Sequence, residues 1–213
     1  MFNLELFLSA FAILFVIIDP PGCAPIFATL TQGTSRKHQM VMAFKSVIVA
    51  AAILIVFAFF GDNILHALHI DFDALRIAGG IMLFIIALQM VFEKRTENRE
   101  NRAEDYLEEI TDPEDISVFP MGIPMIAGPG SIASLLLLMS ESPTIGDQAS
   151  ILAALGAVLV LTLVAFLLAG LLMKLLGKTI MNVLTRVLGF LLAALAAQFV
   201  IDGVTGVIDG ILT

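Results

Sequence analysis

Residues 116–140 and 148–173 of this chain contain no Asp, Glu, Lys or Arg. Each run is longer than the roughly 20 residues a helix needs to cross a hydrocarbon core. A soluble domain cannot leave two such runs uncharged. Across the whole chain 59% of residues are hydrophobic and only 14% are charged, too few to make a water-facing surface. Backbone polar groups in lipid must be bonded within their own segment, which makes helices the expected element. A membrane β-barrel would show alternating segments of about ten residues, and these runs do not alternate.

Six spans are read: about 3–30, 42–60, 74–92, 117–139, 149–173 and 183–207. A polar segment, 93–115, separates the third from the fourth. It holds ten of the nineteen acidic residues and four basic ones, and so supplies most of the formal net charge of −8. The low pI therefore reports one solvated connector, not an acidic binding face. Six spans collect Arg36, Lys37, Lys45, Lys94, Arg95, Arg99, Arg102, Lys174, Lys178 and Arg186 on one side, against Arg76 alone on the other. The positive-inside rule makes the first side cytoplasmic, with both termini periplasmic. The start of the chain lacks a basic region and a cleavage pattern, so no signal peptide is expected there. No basic stripe suggests nucleic acid as a partner. The single cysteine, Cys23, allows no intrachain disulfide.

The halves echo each other. Arg76-Ile77-Ala78-Gly79-Gly80 recurs as Arg186-Val187-Leu188-Gly189-Phe190, 110 positions later. The Pro21-Gly22 pair of the first span recurs as Pro129-Gly130 in the fourth, 108 positions later. Each half has three spans, so the second copy must cross in the opposite sense. The fold class expected is all-α and polytopic, with two inverted three-helix repeats (1–92 and 116–213) joined by a cytoplasmic linker (93–115), a recurring transporter plan.

Both repeat-leading spans should be broken. The first carries Asp19-Pro20-Pro21-Gly22-Cys23-Ala24-Pro25, where prolines remove donors and restrict the residues before them. One half-helix should end near Ile18 and another start near Gly22 or Cys23. The fourth carries Pro124 and Gly128-Pro129-Gly130-Ser131, with a second half-helix starting at Gly130 or Ser131. Unwound backbone at membrane depth persists only where protein buries it or a wet cavity lies beside it. Half-helix N-termini there carry partial positive charge suited to a carboxylate.

Asp19 is a carboxylate inside an apolar span, a functional candidate by default. It can carry a proton, accept a substrate ammonium or a cation, or simply cap the second half-helix; capping and transport are compatible. Its repeat-related position is Ala127, so the halves differ chemically there. The candidate substrate-binding residues are Asp19, Gly22, Cys23, Gly128, Gly130 and Ser131. Gln89 and Gln198 are expected to hydrogen-bond across helices. Arg76 and Arg186 are read as helix-end anchors, with Asp62 as a partner for Arg76, and Gly79, Gly80 and Gly189 as sites of close helix packing.

These motifs resemble the MarC family of bacterial inner-membrane proteins, some described as neutral amino-acid transporters. The resemblance rests on Asp19-Pro20-Pro21-Gly22 followed by Pro25-Ile26-Phe27, on Arg76–Gly80, and on Ile123-Pro124-Met125-Ile126-Ala127-Gly128-Pro129-Gly130. Family members more often show a single proline in the first motif, and Pro21 occupies the variable place. The resemblance implies six helices and a site around the two breaks. The function expected is secondary transport of a small neutral amino acid or similar zwitterion across the inner membrane, with Asp19 holding the substrate ammonium or a coupled proton. A channel or other small-solute exporter is the alternative, although a channel needs a continuous polar lining that the spans lack. An intramembrane enzyme using Cys23 or Ser131 would need a base nearby, and His38, His66 and His69 fall in loops or at span ends. With no Trp and one Tyr, an aromatic drug pocket is not expected. The expected partners are the lipid bilayer and a small-molecule substrate; assembly into a homo-oligomer is left open. No metal or cofactor is expected.

Overall fold

The computed structural model describes residues 2–95, 97, 98, 101, 115–142 and 144–212; most of the connector 93–115 lies outside the described residues. Among the described residues all regular structure is helical. The order is α1 (Leu4–Ile18), α2 (Pro20–Leu30), α3 (Arg36–Ala67), α4 (Phe72–Val91), the irregular segment α5 (Ser117–Ile126), α6 (Pro129–Ser140), α7 (Ile145–Leu167) and α8 (Ala169–Leu212). Among the described residues five helices are long and apolar enough to cross a membrane, α1 and α2 counting as one, and the pair α5–α6, bent by 54°, can make a sixth.

Helix starts follow the polar residues that satisfy free amides. Asn3 accepts from the Leu6 amide, Ser35 from His38 and Thr144 from Asp147. Most helices then run until proline, glycine or a polar turn stops them, while α7 ends at Leu167 with only Leu168 before α8. In α8 the interruption is Gly177, whose φ of 68° is left-handed and suits glycine. Large side chains are exposed all along the outside, among them Phe59, Phe60, Phe190 and Ile201. In water that surface would be an aggregation hazard; in a bilayer it is the lipid-facing wall.

Without a hydrophobic drive between helices in lipid, small residues decide which faces meet. The buried stripe of α3 runs Met42, Ser46, Ala50, Leu54, Ala58, and that of α7 runs Ser150, Ala154, Val158, Thr162, Phe166. These two helices touch each other. α1 and α2 pack on α7, while α5 and α6 pack on α3. In the same way α2 packs on α8 and α6 on α4.

The most extensive pairing is α4 against α8. It is antiparallel: Gly80 faces Ala196 and Val200, Gly189 faces Ala87 and Met90, and Gly203 faces Asp73 and Ile77. A Cβ on Gly80 would lie 2.8 Å from the Ala196 carbonyl oxygen, too close for backbone to yield cheaply. Gly80→Leu should therefore cost about 1–3 kcal/mol by overpacking and lower the melting temperature in detergent. Gly156→Ala on α7 is the control, since an added Cβ there meets nothing within 4 Å. It should leave stability unchanged or raise it by about 0.5–1 kcal/mol.

The polar anchors differ in part from those expected. Arg76 bridges Asp73 and Glu141 at 2.8 Å each, joining the start of α4 to the end of α6. Asp62 instead lies 3.7 Å from His66, one turn along its own helix. Glu141 wins because the antiparallel course of α6 brings its end to the start of α4. Arg186 meets Glu93 at 2.7 Å, just past the end of α4. Gln198 bonds Asp202 within α8, at 2.7 Å, and not a neighbouring helix.

Candidate functional site

The break in the first span is a single residue wide. α1 ends at Ile18, and Asp19 turns into left-handed geometry (φ 57°, ψ 62°), a conformation Asp tolerates better than most residues. Pro20 then opens α2 directly, earlier than the Gly22 or Cys23 expected. Proline at the first helical position has a preset φ and gives up only an amide that would be unbonded anyway. Asp19 serves both ends. Its amide donates to Phe15 O at 2.9 Å, its carbonyl accepts from the Cys23 amide at 3.0 Å, and its Oδ1 accepts from the Gly22 amide at 3.1 Å. The Thr185 hydroxyl on α8 approaches the same oxygen at 3.5 Å. The carboxylate is fully buried. It folds over the start of α2 only because Gly22 lacks a Cβ, which would sit 2.1 Å from Asp19 Oδ2.

The break in the fourth span is longer than the sequence reading. It reaches back from Gly128 to Phe119, because Phe119 and Ile123 are extended (φ −127° and −129°). Each precedes a proline, and a proline disfavours helical geometry in the residue before it. α6 then starts at Pro129 with Gly128 as its N-cap. A Cβ on Gly128 would lie 2.5 Å from the Pro124 carbonyl oxygen. Ser131 Oγ donates to Ile126 O at 2.8 Å, across the break. In the first span Cys23 Sγ donates to Ile18 O at 3.4 Å, also five residues back.

The start of α6 opens on a cavity of about 310 Å³, whose walls include Ile17, Gln89, Arg95, Gly128, Gly130 and Ser131. Pro124 and Pro129 belong to the same wall. Asp19, Gly22, Cys23, Pro20, Pro21 and Pro25 do not line it. The two breaks nonetheless adjoin, because a Cβ on Gly130 would lie 3.4 Å from Ile17, two residues before Asp19. Arg76, Gly79, Arg186 and Gly189 also lie outside the cavity walls. Gly79 faces Ala133 and Leu137 of α6.

Arg95 is the residue the sequence reading missed, having assigned it to the solvated connector. It is only 9% exposed. One guanidinium nitrogen donates to Ile17 O at 2.8 Å, and another lies 2.8 Å from Met90 Sδ. The physical reason is the break itself. α1 ends in carbonyls with partial negative charge, and an arginine four residues past α4 is long enough to reach them. The partial negative charge at the end of α1, where Asp19 stands, is thereby offset by a cation. The cavity thus combines the amide end of a 12-residue helix with a buried guanidinium, a pair of donors that suits a small anion.

One further tether fixes the start of α5. Asp115 accepts from the Ser117 hydroxyl and amide and pairs with Lys45 of α3 at 3.0 Å. The Ser117 hydrogen bond, followed by Lys45, holds its carboxyl down at about 2. A depressed carboxylate pKa stabilises the fold above the unfolded value, near 3.8. That contribution is lost as pH falls from about 4 toward 2. Protection of the 115–121 backbone amides, taken relative to their intrinsic exchange rates, should fall over this interval, and Asp115→Asn should flatten the dependence. An unchanged pH profile in the variant would contradict the assignment.

The family model described as MarC family integral membrane protein matches residues 4–208. A UPF0056 membrane protein of Methanocaldococcus jannaschii is 39% identical over 72% of this chain and 73% of its own. The UPF0056 membrane protein YvbG of Bacillus subtilis is 36% identical over 71% of each chain. The UPF0056 inner membrane protein YhgN of Escherichia coli is 32% identical over 64% of this chain and 65% of its own. No solved structure matches. The chain belongs to the MarC family of integral membrane proteins.

Proposed function

We propose that this MarC family protein is a secondary transporter carrying a small neutral amino acid, or a similar zwitterion, across the inner membrane. The observation that carries the reading is the shared cavity: the N-terminus of α6 and the buried guanidinium of Arg95 open on the same 310 Å³ space. A carboxylate is a small group that accepts from both kinds of donor. The volume is at the low end for ligand pockets and fits a solute the size of alanine better than a drug. Asp19, two residues beyond Ile17 and buried behind the cavity wall, is the carboxylate for a coupled proton. Ser131 Oγ donates to Ile126 O, and among the described residues no histidine lines the cavity.

The architecture we infer is two inverted three-helix repeats, 1–92 and 116–213, with the connector cytoplasmic and both termini periplasmic. Three regularities support it. The buried stripes of α3 and α7 match at 108 positions: Ser46 with Ala154, Ala50 with Val158, Ala58 with Phe166. The bonds closing the breaks, Cys23 to Ile18 and Ser131 to Ile126, recur at the same offset. Helix pairings exchange under the same operation: α1 on α7 becomes α5 on α3, and α2 on α8 becomes α6 on α4. The inner-membrane location is carried over from YhgN, the inner membrane protein of Escherichia coli that this chain resembles.

The test is a thermal-shift screen of the purified protein against neutral amino acids and the amines lacking their carboxylates. Solutes with both groups should raise the melting temperature, and the amines should not. Equal shifts from amines and amino acids would overturn the carboxylate reading.

A further inference from the structure

A second cavity, of about 370 Å³, lies where the ends of α2 and α7 meet the starts of α3 and α8. Its floor is a stacked pair of buried rings, Phe27 and Phe166, with centroids 4.6 Å apart and planes within 2°. Its polar side chains are Thr31, Gln39, Arg36 and Lys174. Thr31 Oγ1 donates to Phe27 O at 2.7 Å, and Gln39 Nε2 donates to Thr31 O at 3.2 Å, so both are engaged within the protein. Arg36 and Lys174 make no ion pair among the described residues, and no carboxylate lines the space. The cavity therefore carries two positive charges over an apolar floor.

We propose that this cavity binds the phosphate headgroup of an anionic phospholipid such as phosphatidylglycerol. Charge complementarity selects an anion, since two cations with no ion pair among the described residues flank the opening. The rim selects a lipid over a soluble phosphate. Leu168 and Leu171 line the cavity while being 43% and 52% exposed, and Leu175 continues the exposed apolar strip along α8. Acyl chains leaving the headgroup would run along these leucines. The proposal is independent of what the protein transports.

The probe is fluorescently labelled phosphatidylglycerol titrated into the full chain in neutral detergent, with phosphatidylcholine and inorganic phosphate as separate arms. Each basic residue near anionic lipid contributes enough that losing two should weaken binding about 30-fold. Arg36→Gln combined with Lys174→Gln should show that loss, while Lys37→Gln, outside the cavity walls, should not. Gly170→Phe gives a charge-neutral check, because an added Cβ at Gly170 meets nothing within 4 Å and the ring would fill the cavity. It should abolish phosphatidylglycerol binding without removing a charge. Unchanged affinity in the folded double variant or in Gly170→Phe would overturn the proposal. So would full competition by millimolar inorganic phosphate, which would mark a soluble-anion site, or equal affinity for phosphatidylcholine.

Discussion

Replacing Arg95 with glutamine is expected to weaken binding of a carboxylate solute by about two to three orders of magnitude, the scale for truncating one member of a buried charge pair. The guanidinium is nearly buried, and one of its nitrogens is held by Ile17 O, so its geometry is set before any solute arrives. Preorganised donors lose little freedom on binding. Arg95→Lys should recover part of the affinity, because the charge returns without the two-pronged geometry. A purely structural role makes a different forecast. Losing the bond to Ile17 O would then cost about 1–3 kcal/mol of stability for a buried group left unpaired, with equal effects on all solutes. The separating readout is selectivity: the variant should stop distinguishing an amino acid from the amine lacking its carboxylate. If it still distinguishes them as the unaltered protein does, Arg95 does not hold the carboxylate.

The second large effect is at Asp19. Asn accepts the same capping hydrogen bond and tolerates left-handed geometry, so Asp19→Asn should fold with a near-normal melting temperature. It should lose uphill accumulation under a proton gradient while still exchanging solute across the membrane. Asp19→Leu should fail differently. It loses the cap to Gly22, worth about 1 kcal/mol, and places a bulky residue in left-handed geometry at a further cost of about 1–2 kcal/mol. Comparing the two separates the carboxylate's charge from its service to the fold. Normal accumulation by Asp19→Asn would remove proton coupling from the account and leave Asp19 as a cap.

What the sequence exposed and what it hid have physical reasons. Apolar length and the Pro–Gly clusters are local signals, so the spans and the existence of both breaks could be read directly. The extent of the second break is also encoded locally, in Pro120 and Pro124, which restrict Phe119 and Ile123 before them. Arg95 was hidden because it stands among other charges, four residues past an apolar span. Its burial depends on where α1 breaks and which helix ends beside it, a relation between residues 78 apart in the chain. The rule that long basic side chains reach back from span ends was the one signal that pointed to it. The choice of Glu141 over Asp62 for Arg76 was likewise set by helix course, not by sequence nearness.

The central claim is that the cavity at the second break holds a small carboxylate-bearing solute that the protein moves across the membrane. Counterflow in proteoliposomes tests it most directly. Vesicles are loaded with unlabelled neutral amino acid, and labelled solute is supplied outside. The account predicts transient accumulation of label that Arg95→Gln abolishes and Arg95→Lys partly restores. Label entering at the same rate in empty vesicles, or unchanged counterflow by folded Arg95→Gln, would contradict it.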